Sequence, residues 1–152
     1  MLTMIELPWT IDTSILVYAT ETDAPAVKQH IAKQLMKRLI LSPQACLAGQ
    51  VVGEFMNVVR QKEAMSRAQA FEAVRLLSQA ARVLGASQQA YEQAWKLAAT
   101  HGYQVWDALT IAVCAEHGVK TLYSEYAGPL KHPLGVQVVN PFVHPFVELE
   151  KS

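Results

Sequence analysis

Cysteine is scarce: Cys46 and Cys114 are the only two, each inside an apolar stretch. Thiols placed this way read as small buried hydrophobes in a reducing compartment, and nothing calls for a disulfide framework. Charge is sparse as well, at 17% of residues, and thirteen basic side chains balance thirteen acidic ones. A net charge of zero argues against blanket nucleic-acid binding through a strongly basic surface and leaves only a local basic face open. No segment offers the about 20 mainly apolar residues that a membrane span needs. The longest stretches without a formal charge run from Leu39 to Gly53 and from His132 to Val147. Pro43, Gln44 and Gln50 interrupt the first, and Pro133, Pro141 and Pro145 the second. The N-terminus lacks a basic segment and meets Glu6 and Asp12 early, so the expectation is a chain without a signal peptide, located in the cytoplasm.

What the chain does have is apolar material, 51% of its 152 residues. That is enough to bury a sizeable core, and the length suits one domain over residues 1–152. Trp9 to Ile11 is β-prone and leads through Asp12-Thr13-Ser14 into the apolar run Ile15 to Ala19. A helix capped by Asp23, with Pro25 in its first turn, is predicted to reach about Leu39, with Val27, Ile31, Leu35 and Leu39 or Ile40 facing inward. Ser42-Pro43 stops it. A short strand at Ala45 to Ala48 precedes a helix from Gln50 to about Glu63. Ser66 caps another from Arg67 to Ala80, and a strand lies near Val83. Ser87 caps a helix to His101 that ends at Gly102, with Tyr91, Ala94, Trp95 and Ala98 on one face. Asp107 opens a last helix to about His117, and Lys120–Tyr123 and Val136–Val139 are strands. Short β-runs alternating with long helices predict a three-layer α/β/α sandwich around a central parallel sheet. Sites in such sheets form beyond the carboxyl ends of the strands.

Three acids stand where that rule points. Asp12 ends the first strand, in an apolar setting where a turn-forming or capping role is the plainer alternative. Glu54 lies on the edge of the apolar stripe Val51, Phe55 and Val58, with no basic residue three or four positions away. Asp107 follows Trp106 at the start of an almost wholly apolar helix, where N-capping is again the plainer role. Clustered carboxylates repel one another unless protonated or bridged by a cation, and all-oxygen ligands suit magnesium or manganese. The five histidines, His30, His101, His117, His132 and His144, are scattered without zinc-like spacing.

Taken in order, Ile11-Asp12-Thr13-Ser14, Gly53-Glu54-Phe55, Trp106-Asp107-Ala108-Leu109, Leu122-Tyr123-Ser124-Glu125, and the closing Gly135-Val136 with Val139-Asn140-Pro141-Phe142 resemble the PIN-domain ribonucleases, most closely the VapC-type toxins of toxin–antitoxin pairs. The resemblance covers nearly the whole chain. It implies a parallel sheet flanked by helices and RNA hydrolysis dependent on Mg²⁺ or Mn²⁺. It also implies Asp12, Glu54 and Asp107 as catalytic and metal-holding acids, with Ser14 in support. A homodimer and a small antitoxin that presents an arginine to the acidic cleft are its implied partners.

The sequence departs from that pattern at one place. The family's last acid is expected two residues after Ser124, where this chain has Tyr126. Glu125 is adjacent, but neighbouring positions at a strand end point to opposite sides. Ser124, Glu125 and Tyr126 therefore join Ser14 as supporting candidates. Two readings follow: a metal-dependent endoribonuclease, or a degenerate domain that binds RNA or an antitoxin without efficient cleavage. Lys28, Lys33, Arg60 and Lys62 are the candidates to meet phosphates.

Overall fold

The computed structural model describes residues 8–61, 66–126 and 128–144. In chain order the elements are β1 (Trp9–Ile11), α1 (Thr13–Thr20), α2 (Ala26–Leu41), β2 (Cys46–Ala48), α3 (Gly49–Gln61), α4 (Arg67–Ala80), β3 (Arg82–Leu84), α5 (Gln88–His101), α6 (Val105–Glu116), β4 (Thr121–Tyr123) and β5 (Gln137–Val139), with a short 3₁₀ turn at Pro133–Gly135. Every strand pairing is parallel. One ladder runs β1-β4-β5 and the other β2-β3. The two ladders meet where the Thr10 hydroxyl donates 2.5 Å to the carbonyl of Cys46. The result is the α/β architecture anticipated above, a central parallel sheet sandwiched by helices.

β1, β2 and β4 are buried along their whole length, as strands covered on both faces must be. Trp9 and Tyr123 meet edge to face across the first ladder, ring centroids 5.6 Å apart. α6 runs through the core, with every residue from Ala108 to Cys114 buried. It is apolar on all sides because protein surrounds it on all sides. Both cysteines are buried and free, and burial pushes the Cys114 thiol far up, so neither is poised to react.

The helix boundaries set by local capping stand where expected. Ser66 makes a capping box with Gln69, and Ser87 accepts from the amide of Ala90. Gly102 closes α5 at φ +73°, a left-handed conformation that costs glycine little. The helix start at Asp23 is corrected: α2 begins at Ala26, behind an extended Pro25 that offers no side-chain cap. Its inner face is Ala32, Leu35 and Leu39, while Val27 in the first turn is 73% exposed and Ile40 turns partly outward. The inner face of α5 is likewise Ala90, Ala94 and Leu97, with Tyr91 and Trp95 outward. α5 lies against α6, where small alanines permit a closer approach than aromatic rings would. α6 starts two residues before Asp107, behind Gln104. The predicted end of α3 at Glu63 falls outside the described residues, as does Lys62.

Candidate active site

Because the strands are parallel, their carboxyl ends share one edge, and the residues just beyond them gather there. Asp12 follows β1 and is the N-cap of α1, with its side chain accepting from the Ser14 amide at 3.0 Å. The capping reading is therefore correct for this acid, and incomplete. The same Oδ1 accepts from the Ser14 hydroxyl at 2.5 Å, and Oδ2 accepts from the hydroxyl of Ser124, which follows β4. Asp12 is buried, and its carboxyl is pushed up to about 6. Burial is the main cause and the charge of Asp107 adds to it. The hydrogen bonds from Ser124 and Ser14 pull the other way.

Asp107 sits in the first turn of α6, where the helix dipole favours a negative charge, but it does not cap the helix. Its carboxyl is raised first by burial and then by the charge of Glu54. Glu54 projects from α3, with Oε1 accepting 3.0 Å from the Gln50 side-chain amide. That amide also donates to the carbonyl of Trp106, tying α3 to the residue before Asp107. Asp12, Glu54 and Asp107 all line one cleft of about 320 Å³, together with Thr13, Ser14, Val17, Tyr18, Glu21, Val58, Gln104, Thr110 and Tyr126. Asp12 thus feels the charge of Asp107, and Asp107 that of Glu54.

The supporting residues divide. Ser14 and Ser124 bond Asp12 directly, and Tyr126 lines the cleft with 64% of its surface exposed. Glu125 is drawn elsewhere: its carboxylate meets Lys28 at 2.9 Å and the Tyr18 hydroxyl at 3.0 Å. Lys28 lies over the rings of Tyr18 and Phe142 as well, at 5.1 and 5.5 Å from their centroids, so it is engaged instead of waiting for phosphate. Arg60 bonds Asn57 at 3.2 Å and Lys33 is exposed, and neither lines the cleft. Among the described residues no lysine or arginine lines it.

Gln50 and Glu21 are cleft or near-cleft residues that the sequence reading passed over. Glu21, just past α1, adds a further acid to the wall. Gln50 has a signal visible only in retrospect, its position one helical turn before Glu54.

Among the described residues no three His, Cys, Asp or Glu side chains are drawn together tightly enough to hold an ion as a preformed triad. The wall is nevertheless carboxylate-rich, and one of its carboxyls is held near 6 by burial and like charge. That suits a hard divalent cation held by one or two carboxylates and otherwise by water, the usual manner of Mg²⁺.

A PIN domain family model matches residues 10–125. This chain belongs to the PIN domain family. The PIN domain is similar in structure to Mycobacterium tuberculosis VapC20, described as a sarcin–ricin loop cleaving toxin. The TM-score is 0.63 and the identity 25%, over 76% of this chain and 88% of that one. A toxin–antitoxin complex from Klebsiella pneumoniae matches with TM-score 0.59 and 18% identity, over 87% and 96% of the two chains. FitAcB from Neisseria gonorrhoeae matches with TM-score 0.58 and 19% identity, over 90% and 99%. No curated protein matches the chain. No helix among the described residues is long and apolar enough to cross a membrane.

Proposed function

We propose that this PIN domain is an endoribonuclease of the VapC toxin kind, hydrolysing RNA phosphodiester bonds with Mg²⁺ or Mn²⁺. One observation carries the reading: the buried Asp12 and the half-buried Asp107, each under a neighbouring acid's charge, face with Glu54 a cleft whose described lining has no basic side chain. Asp12 and Asp107 are the residues assigned to hold the cation, directly or through water, with Glu54 beside them. When bound, the ion supplies charge neutralisation at the phosphate and a more acidic water. Glu54 is assigned to orient the attacking water and accept its proton, and its hydrogen bond from Gln50 supports that role. The water oxygen forms the new bond to phosphorus as the bond to the leaving ribose oxygen breaks, and that oxygen takes a proton from solvent. Ser14 and Ser124 keep both Asp12 oxygens oriented through the reaction.

An antitoxin is the natural partner on this reading, since an arginine inserted among the acids would take the cation's place. An apolar groove of about 410 Å³, walled by Leu16, Met36, Ile40, Phe55, Leu76 and Leu77, offers such a chain an anchorage. A homodimer belongs to the same proposal, and analytical ultracentrifugation at high micromolar concentration tests it. The deciding assay is cleavage of total RNA by purified protein across a Mg²⁺ titration, with Asp12→Asn and Asp107→Asn as controls. Metal-dependent cleavage lost in both variants supports the proposal, and cleavage that survives both removes it.

A second reading, binding without efficient cleavage, is favoured by the pairing of Glu125 with Lys28. That pairing leaves Tyr126 alone at the position of the family's expected acid. RNA retention with no cleavage at any metal concentration would select this reading.

A further inference from the structure

Tyr126 stands at the position of the family's expected acid and is also the most exposed aromatic residue lining the acidic cleft. Its ring takes part in no aromatic pair and its hydroxyl makes no hydrogen bond among the described residues. The backbone beneath it, by contrast, is held firmly. The Tyr126 amide donates to Ser124 Oγ at 3.0 Å, and that same hydroxyl donates to Asp12 Oδ2. Between them Glu125 is held by Lys28 at 2.9 Å, by the Tyr18 hydroxyl at 3.0 Å, and by Ser14, whose Oγ accepts from its amide at 3.3 Å. The Asn140 side chain donates to the Glu125 carbonyl at 3.1 Å. A free, exposed ring thus stands on an anchored turn, two hydrogen bonds from a carboxylate of the site. A ring so placed is a platform for a planar apolar face, and every nucleobase has one.

We propose that Tyr126 is a specificity-determining residue that stacks on a base of single-stranded RNA next to the phosphate held at the acids. The proposal rests on the nuclease reading and adds to it a preference for unpaired RNA, because a base within a duplex has both faces covered. The phenol ring carries the interaction and the hydroxyl does not.

The test is fluorescence anisotropy with a labelled single-stranded RNA of about eight nucleotides, in Ca²⁺ in place of the catalytic Mg²⁺, with its integrity checked on a gel. A duplex of the same sequence and a single strand with abasic sugars serve as companions. Wild type should bind the single strand in preference to both. Tyr126→Phe should keep that affinity, and Tyr126→Ala should weaken it by roughly 5- to 150-fold, the range for losing one stacked base. Affinity for the abasic strand should not change between the variants. Equal single-strand affinity for Tyr126→Ala and wild type overturns the stacking proposal while leaving the nuclease reading intact. Equal loss in Tyr126→Phe overturns it in favour of the hydroxyl. Failure of wild type to bind any of these RNAs overturns the nuclease reading itself, and stacking with it.

Discussion

Asp12→Asn should make the protein more stable at neutral pH while destroying its activity. In the folded chain the Asp12 carboxyl titrates at about 6, against an ordinary value of 3.8. Below pH 4 it is protonated in both folded and unfolded chains and carries no penalty. Between about 4 and 6 the unfolded chain is ionised while the folded chain still holds its proton, so stability falls as pH rises across that window and levels off above 6. The gap corresponds to roughly 3 kcal/mol at pH 7. Asparagine has nearly the same shape and caps helices as well as aspartate does. It retains one acceptor, so the hydroxyls of Ser14 and Ser124 must share it or turn, at a cost of about 1 kcal/mol.

The net gain should be about 2 kcal/mol at pH 7.5, or roughly 4–8 °C in Tm for a chain of this size. The assay is thermal denaturation of both proteins in EDTA from pH 4.5 to 8. The variant's advantage should be near zero at the acid end and grow through pH 6. Adding Mg²⁺ should then raise the Tm of the parent more than that of the variant, because ligand binding stabilises only the form that binds. Cleavage should fall at least about a hundredfold, since even a residue that merely supports a metal ligand can cost that much. A Tm difference that does not change with pH, or a variant less stable than the parent at pH 7.5, would refute the assignment of Asp12 as a buried, ionisable acid under repulsion.

Three further outcomes are expected. Gln50→Ala should leave the fold intact and raise the half-saturating Mg²⁺ concentration for cleavage, because Glu54 loses its tether to the start of α6; an unchanged titration would show that Glu54 needs no positioning. Tyr126→Asp should cleave faster than the parent at low millimolar Mg²⁺, with the gap closing as metal rises, and should lose affinity for single-stranded RNA in the same experiment. Equal rates throughout would mean that the vacancy is already filled, with Glu21, which lines the same cleft, the acid to suspect now that Glu125 faces Lys28. Gly128→Ala should destabilise by about 2 kcal/mol or more. Gly128 stands at φ +72°, and an added Cβ would lie 2.2 Å from a ring carbon of the buried Tyr103. An unchanged Tm on scanning calorimetry would contradict that packing.

The parts of this fold that were legible in the sequence are those decided locally. Ser66, Ser87 and Gly102 each act on amides or carbonyls within one helical turn, so their helices begin and end where the residues alone place them. Asp12 is legible as the residue joining β1 to α1, because an acid at that point caps the helix that follows. Helix phase was less so. Tyr91 and Trp95 are the larger apolar residues of α5, yet Ala90 and Ala94 are the buried ones, because closeness to α6 and not side-chain size decides that face. Lys28 could not be assigned from sequence either, since its partner Glu125 lies 97 positions away. Gln50 carries no charge and breaks no periodicity, so only the approach of Trp106 reveals its role.

The exchange of an acid for Tyr126 changes two electrostatic terms of opposite sign. A cleft with one carboxylate fewer attracts a divalent cation less strongly, which raises the metal requirement. It also repels less strongly the RNA of the proposed reaction, and its described wall offers no basic side chain to offset that repulsion. An exposed ring at the same place adds an uncharged attraction for the bases, one that salt screens little. Ser124 joins these effects, because a single hydroxyl both restrains Asp12 and anchors the Tyr126 backbone. If the cleft acts as proposed, metal affinity and base recognition are both set by the same turn after β4, and a change there moves both together.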